Sequence, residues 1–195
     1  IGQHEKQNHG KSKNGEGKHN RVQPQAQTLE YSAQGVERHQ VIENQKGISF
    51  EKLFYGYLKG ASSITIQDPY IRHFHQVKNL SEFIQMLLKI KPVGDEMDVK
   101  LITKKDITET NNQDVLLSRL QENLDGSGIN FTYEYDSSDT FHARSISTDT
   151  GWKIILDRGL DIFQQYDYKD AFCLANNIQE ERLCKAFEVT YIKNA

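Results

Sequence analysis

Cysteine, tryptophan and long apolar runs are all scarce in this 195-residue sequence. The two cysteines, Cys173 and Cys184, are too few for a disulfide framework. They suit a reducing cytoplasm, and each is expected as a small buried apolar residue. No apolar run approaches the ~20 residues of a membrane-spanning helix, and the opening IGQHEKQNHG is too polar for a secretory signal. A surplus of one charge is also lacking: the formal net charge is −3. That excludes a chain that coats nucleic acid by global basicity, while leaving a local basic groove open. No G-x-S-x-G, no P-loop and no G-x-G-x-x-G after a strand occurs, so no cofactor is expected. The chain also has no initiator Met, which reads as a piece of something longer.

Aromatics are nearly missing from the first 45 residues. Of nineteen (nine Tyr, nine Phe, one Trp), only Tyr31 precedes Phe50. A stretch such as HEKQNHGKSKNGEGKHNRVQPQAQ cannot bury enough apolar area to offset the entropy of ordering. Residues 1–46 therefore read as a flexible polar linker, and residues 47–195 as one domain. The linker histidines (His4, His9, His19, His39) are scattered and match no metal-ligand spacing.

From Ile48 the pattern becomes that of a folded domain. Phe50, Leu53, Phe54, Tyr57 and Leu58 mark one helix face, with Ser49 as N-cap and Gly60 as stop. SSITIQD alternates as a strand and ends at Asp68-Pro69. Val77, Leu80, Ile84, Leu87 and Leu88 give a second helix. MDVKLITKKD is a strand, NNQDVLLSRLQENLDGSG a helix, and INFTYEYD a strand. FHARSIST and GWKIILD form a hairpin turning at 149–151. An irregular stretch and a last strand, FEVTYIK, follow. The expected class is α/β: a mixed β-sheet flanked by helices.

Chemistry-bearing residues gather in two places, near strand ends where α/β sheets bind ligands. The segment QDPYIRHFHQ offers Asp68, Tyr70, Arg72, His73 and His75. The hairpin and its sequel offer His142, Arg144, Asp149, Lys153, Arg158 and Asp161. His142, Arg144 and Asp149 form H-x-R-x4-D, similar to the H-x-K-x4-D of phospholipase-D-type phosphodiesterases. There a His attacks phosphorus, a Lys binds phosphate oxygens and an Asp orients the ring. Such enzymes need two copies; this chain has one, so turnover would require a homodimer. Residues 142 and 144 alternate onto one strand face and can share a pocket. Three readings stay open: a dimeric phosphodiesterase; an anion pocket without turnover, gripped by Arg72, Arg144, Lys153 and Arg158; and structural Arg–carboxylate pairing. His73 and His75 space like a metal pair on a strand but lack a third ligand, so no metal is expected.

ISFEKLFYGYLKGASSITIQDPYIRHFHQVKNLSEFIQMLL resembles the opening of the MIT C-terminal domain, with its D-P-Y-I-R and a following Q-x-x-N helix. FHARSISTDTGWKIILDRGLDIF resembles that family's second signature, ending in G-W-x-I-x-x-x-R-G-L-D-x-F. The likeness covers residues 47–192 and implies a phospholipase-D-like fold that has lost its catalytic pairs. It carries over Asp68, Tyr70, Arg72, His142, Arg144, Trp152, Arg158 and Asp161. Two positions depart from the signature, Ala143 and Asp157. Eukaryotic members follow an MIT domain, dimerise and associate with membrane phosphoinositides. Similar bacterial domains end Lon-like AAA+ proteins of bacteriophage-exclusion (BREX) defence, and the tail YDYKDAFCLANNIQEERLCKAFEVTYIKN is closer to these. The resemblance implies a cytoplasmic, non-catalytic assembly or ligand-binding domain. Its expected partners are a second copy, and DNA or another BREX protein. A phosphoinositide membrane is the alternative.

Overall fold

A computed structural model describes residues 30–31, 36–108, 111–138 and 142–194. In chain order the elements are β1 (Glu30–Tyr31), β2 (Val36–Val41), α1 (Phe50–Leu58), β3 (Ser63–Gln67), α2 (Phe74–Ile90) and β4 (Met97–Thr103). They continue with α3 (Gln113–Leu124), β5 (Ile129–Tyr135), β6 (Ser145–Thr148), β7 (Trp152–Leu156), a short α4 (Leu174–Asn177) and β8 (Phe187–Lys193). All strands join one sheet in the order β1-β2-β8-β7-β6-β3-β4-β5. β3, β4 and β5 run parallel, and every other pairing is antiparallel.

The mixed direction follows from the connections. β3–α2–β4 and β4–α3–β5 are crossovers, which return the chain parallel, whereas the tight 149–151 turn reverses it. Cross-strand register places Tyr191, Ile154, Ile146, Ile66, Leu101 and Tyr133 in one row, hence on one face. The helices cover that face. The Tyr191 hydroxyl donates to the Leu53 carbonyl of α1 at 3.0 Å, Ser118 of α3 meets the Tyr133 hydroxyl at 3.1 Å, and α2 packs between them. Phe50, Phe54, Phe83 and Phe163 pack together at ring-centroid distances of 5.6–6.0 Å within this layer, mostly edge-on or tilted. The expected flanking of the sheet by helices is thus one-sided. The opposite face carries Thr65, Lys100, Ser147, Lys153 and Ile192 as cross-strand neighbours.

Ser49 caps α1 as its sequence position suggests, its hydroxyl accepting from the Lys52 N–H, and Gly60 follows with φ +81°. α2 starts differently from a bare hydrophobic pattern. The side-chain Oε1 of Gln76 accepts from the Arg72 and His73 N–H groups at 2.9 Å each, closing the helix end. His73 and His75 therefore sit at a helix start, not on a strand, with stacked rings 5.7 Å apart.

The linker expectation fails at its distal end. Val36–Val41 is a full strand paired residue for residue with β8, and Val41 is buried. The segment VERHQV resembles linker because its side chains are mostly polar. Backbone pairing with β8 and contact with α1, where the Tyr57 hydroxyl donates to Glu37, hold it regardless. Residues 30–31 pair with β2, and Asn44 and Gln45 bond to Cys184; residues 1–29 and 32–35 of the expected linker lie outside the described residues. The stretch 157–186, irregular by sequence, is anchored by one buried ion pair. Arg182, 2% exposed, donates both terminal nitrogens to Glu82 of α2, one of them at 3.0 Å, and lies over the Tyr166 ring at 4.2 Å. Burial pushes the Glu82 carboxyl up, but hydrogen bonds from Arg182 and Lys78 outweigh it and hold the group below its usual range.

Candidate functional site: an arginine–tyrosine cleft at one end of the sheet

Strand direction decides which loops meet. β3 and β7 end where β6 and β8 begin: Gln67 pairs with Ser145, Ser145 with Ile155, and Leu156 with Val189. Asp68, Arg144, Arg158 and the residues just before β8 therefore emerge at one end of the sheet. There Asp68, Tyr70, Arg144, Arg158 and Asp161 line a cleft of about 80 Å³.

Asp68 organises the cleft. It is 5% exposed, and its carboxylate accepts from the Tyr70 N–H at 2.9 Å and from the Leu160 N–H. The second bond draws the R-G-L-D loop over it. Gly159 is required there: its φ is +59°, and a Cβ at that position would sit 2.0 Å from Asp68 Oδ2. Arg144 Nε stands 3.8 Å from Asp68 Oδ1, and the guanidinium lies over the Tyr70 ring at 4.2 Å. Arg144 also donates to the Asp157 carbonyl. Burial is the leading influence on Asp68 and raises its carboxyl to about 6; the backbone bond and Arg144 pull the other way and lose. Arg144 wins so little because its charge is shared with Tyr70 and a carbonyl and is partly solvated. Arg158 donates Nε to the Ala186 carbonyl at 2.7 Å, and Asp161 pairs with Lys185 at 2.8 Å.

The rest of the motif is not assembled. Residues 142–144 precede β6 instead of lying within it, so the shared strand face expected for His142 and Arg144 does not exist; His142 is exposed and is not among the cleft residues. Asp149 is at the opposite end of the sheet, where it accepts from the Ser62 N–H at 3.1 Å and from the Ser62 hydroxyl. A four-residue strand spans about 13 Å, too far for this carboxylate to orient an imidazole near Arg144. Trp152 is at that far end too, its ring 5.0 Å from Tyr57. Of the four cations expected to grip an anion, Arg144 and Arg158 line the cleft beside Tyr70, whereas Lys153, within β7 and paired with Ser147 and Ile192, and Arg72 do not. The Arg72 Nε is buried without a hydrogen-bond partner among the described residues. Asp157, one of the two departures from the signature, keeps its side chain exposed and contributes only its carbonyl.

A second, larger groove adjoins the cleft through Asp161. It occupies about 670 Å³ between the start of α2 and residues 161–168, with Phe74, Asn79, Tyr168 and Lys185 among its lining residues. Nothing in the composition marks this groove. The sole sequence signal is the Q-x-x-N pair, Gln76 and Asn79, of which Gln76 caps the helix and Asn79 faces the groove.

A mixed sheet with its helices on one face, its parallel half joined by crossovers, and an arginine cleft at the strand ends defines an α/β domain of phospholipase-D-like type. The family model described as "Phospholipase D-like domain at C-terminus of MIT" matches residues 47–193, and the chain belongs to that family. MIT domain-containing protein 1 of Mus musculus is 34% identical over 126 residues, 64% of this chain and 49% of that protein. The chain thus spans about half the length of this curated relative. Among solved structures, Nuc of Salmonella typhimurium, a phospholipase D family member, aligns over 82% of both chains at 13% identity and a TM-score of 0.42. Phosphatidylserine synthase of Haemophilus influenzae Rd KW20 aligns over 82% of this chain and 34% of its own at 13% identity and a TM-score of 0.48. No helix among the described residues is long and apolar enough to cross a membrane.

Proposed function

We propose that this domain is a non-catalytic accessory module that grips a phosphate-bearing ligand, a DNA backbone included, in the Arg144–Arg158 cleft. One observation supports the reading: Arg144 and Arg158 line one cleft, while His142 is outside its lining and Asp149 bonds Ser62 at the other end of the sheet. Guanidinium groups bind phosphate without needing either. The test is paired. Hydrolysis of bis(p-nitrophenyl) phosphate is expected to be absent, and phosphate binding is expected to fall on Arg144→Ala or Arg158→Ala but not on His142→Ala. Hydrolysis that disappears in His142→Ala would restore the dimeric phosphodiesterase. A DNA ligand implies steep weakening with salt through counterion release; salt-independent capture of a protein partner would replace it.

The parent we favour is a cytoplasmic Lon-like AAA+ protein of bacteriophage-exclusion defence, supported by the tail from Tyr166 onward. In it the module serves assembly, as a self-associating unit that sedimentation would show as a dimer. The MIT domain-containing relative favours a second parent, in which the module follows an MIT domain and meets phosphoinositide membranes. Co-sedimentation with anionic liposomes at low salt selects that parent, and an AAA+ module preceding residue 1 selects the first.

A further inference from the structure

Asn79, 6% exposed, lines the 670 Å³ groove. Its carboxamide makes no hydrogen bond among the described residues and is not sealed from solvent. Its donor and its acceptor are therefore both open to a molecule in the groove. Its neighbours indicate what the ligand offers. Phe74 and Tyr168 stand at the groove 49% and 37% exposed, ring centroids 5.3 Å apart and tilted 38°, presenting aromatic faces. Asp161, paired with Lys185 at 2.8 Å, lines both this groove and the Arg144–Arg158 cleft.

A flat ring bearing donor and acceptor edges, joined to an anion, matches this sequence of surfaces. We infer that the groove takes the base of a nucleoside phosphate whose phosphate occupies the neighbouring cleft, with Asn79 reading the base edge and Phe74 or Tyr168 stacking on its face. The inference rests on the phosphate-binding reading of that cleft. Amide side chains pair with base edges through both their donor and their acceptor, and aromatic rings accept any base face. An inositol phosphate has no planar face for the rings. A peptide would satisfy Asn79 but would leave the arginines without a phosphate.

Calorimetric titration of the 195-residue chain with AMP and with ribose 5-phosphate separates base from phosphate. AMP is expected to bind about tenfold tighter, the scale of one stacked base. Phe74→Ala and Asn79→Ala are each expected to remove most of that advantage while leaving ribose 5-phosphate binding unchanged; Phe74 is exposed enough that its replacement does not endanger folding. An octameric oligoadenylate that binds tighter than AMP, with a steep salt dependence, identifies a single strand as the source; equal affinities identify the free nucleotide. Equal binding of AMP and ribose 5-phosphate overturns the inference and leaves the cleft reading intact. Tighter binding of inositol 1,4,5-trisphosphate or of an acidic peptide, unaffected by Phe74→Ala, overturns it as well. Binding of no phosphate compound at all overturns both readings.

Discussion

Replacing Gly159 by Ala is the sharpest perturbation of the cleft. Alanine in the left-handed conformation at φ +59° costs about 1–2 kcal/mol. The added Cβ would also fall 2.0 Å from Asp68 Oδ2, and the carboxylate cannot step aside without giving up the Tyr70 or Leu160 N–H. Losing a hydrogen bond to a charged group adds about 1.5–3 kcal/mol. A total near 4 kcal/mol corresponds to a Tm lowered by about 8–16 °C in a domain of this size. Gly60→Ala is the control: φ is +81° but nothing lies within 4 Å of its Cβ, so only the backbone cost applies. Thermal unfolding followed by circular dichroism measures both. In the Asp68→Ala background the Gly159→Ala cost should shrink by at least about 1 kcal/mol, because the obstructing carboxylate is gone. Equal Tm shifts for Gly159→Ala and Gly60→Ala would refute the role assigned to Asp68.

Asp68 also makes stability depend on pH. Its folded carboxyl titrates near 6 against an ordinary 3.8, so the folded state holds the extra proton between those values. Stability is then expected to fall as pH rises from about 4 to about 6, by up to ~3 kcal/mol, a slope that Asp68→Asn should abolish in urea titrations. Arg182→Met leaves Glu82 with only Lys78, Gln179 and Tyr166 and should cost about 1.5–3 kcal/mol, the loss of a charged hydrogen bond, read from the guanidinium midpoint. Asp149→Ala removes the hydrogen bonds to Ser62 and should cost about 1–2 kcal/mol in the same assay, with phosphate binding at the other end of the sheet unchanged.

The elements that alternate or repeat strongly were legible from residue pattern alone. Phe50–Leu58, Met97–Thr103, Ile129–Tyr135 and Phe187–Lys193 all fall where apolar periodicity places them, because one face of each meets the helix layer or the sheet. β2 was not legible, since VERHQV is held by backbone pairing to β8 and only Val41 is buried. Half of the cleft was legible too. D-P-Y and R-G-L-D do converge, because the strands that carry them end on the same side. H-x-R-x4-D is no spatial cluster for a related topological reason: strand β6 runs between its two ends, so six residues of sequence put Asp149 and His142 at opposite ends of the sheet. Asn79 was not legible because an asparagine within a helix pattern carries no sign of facing a groove.

β2 bears on how the molecule can be cut. Trimming at the hydropathy boundary near residue 47 would strip two strands and leave β8 with a raw row of unpaired amides and carbonyls along Phe187–Lys193. Such an edge recruits strands from other copies. A shortened protein would therefore tend to clump, and self-association seen in it would report the scissors instead of the native chain.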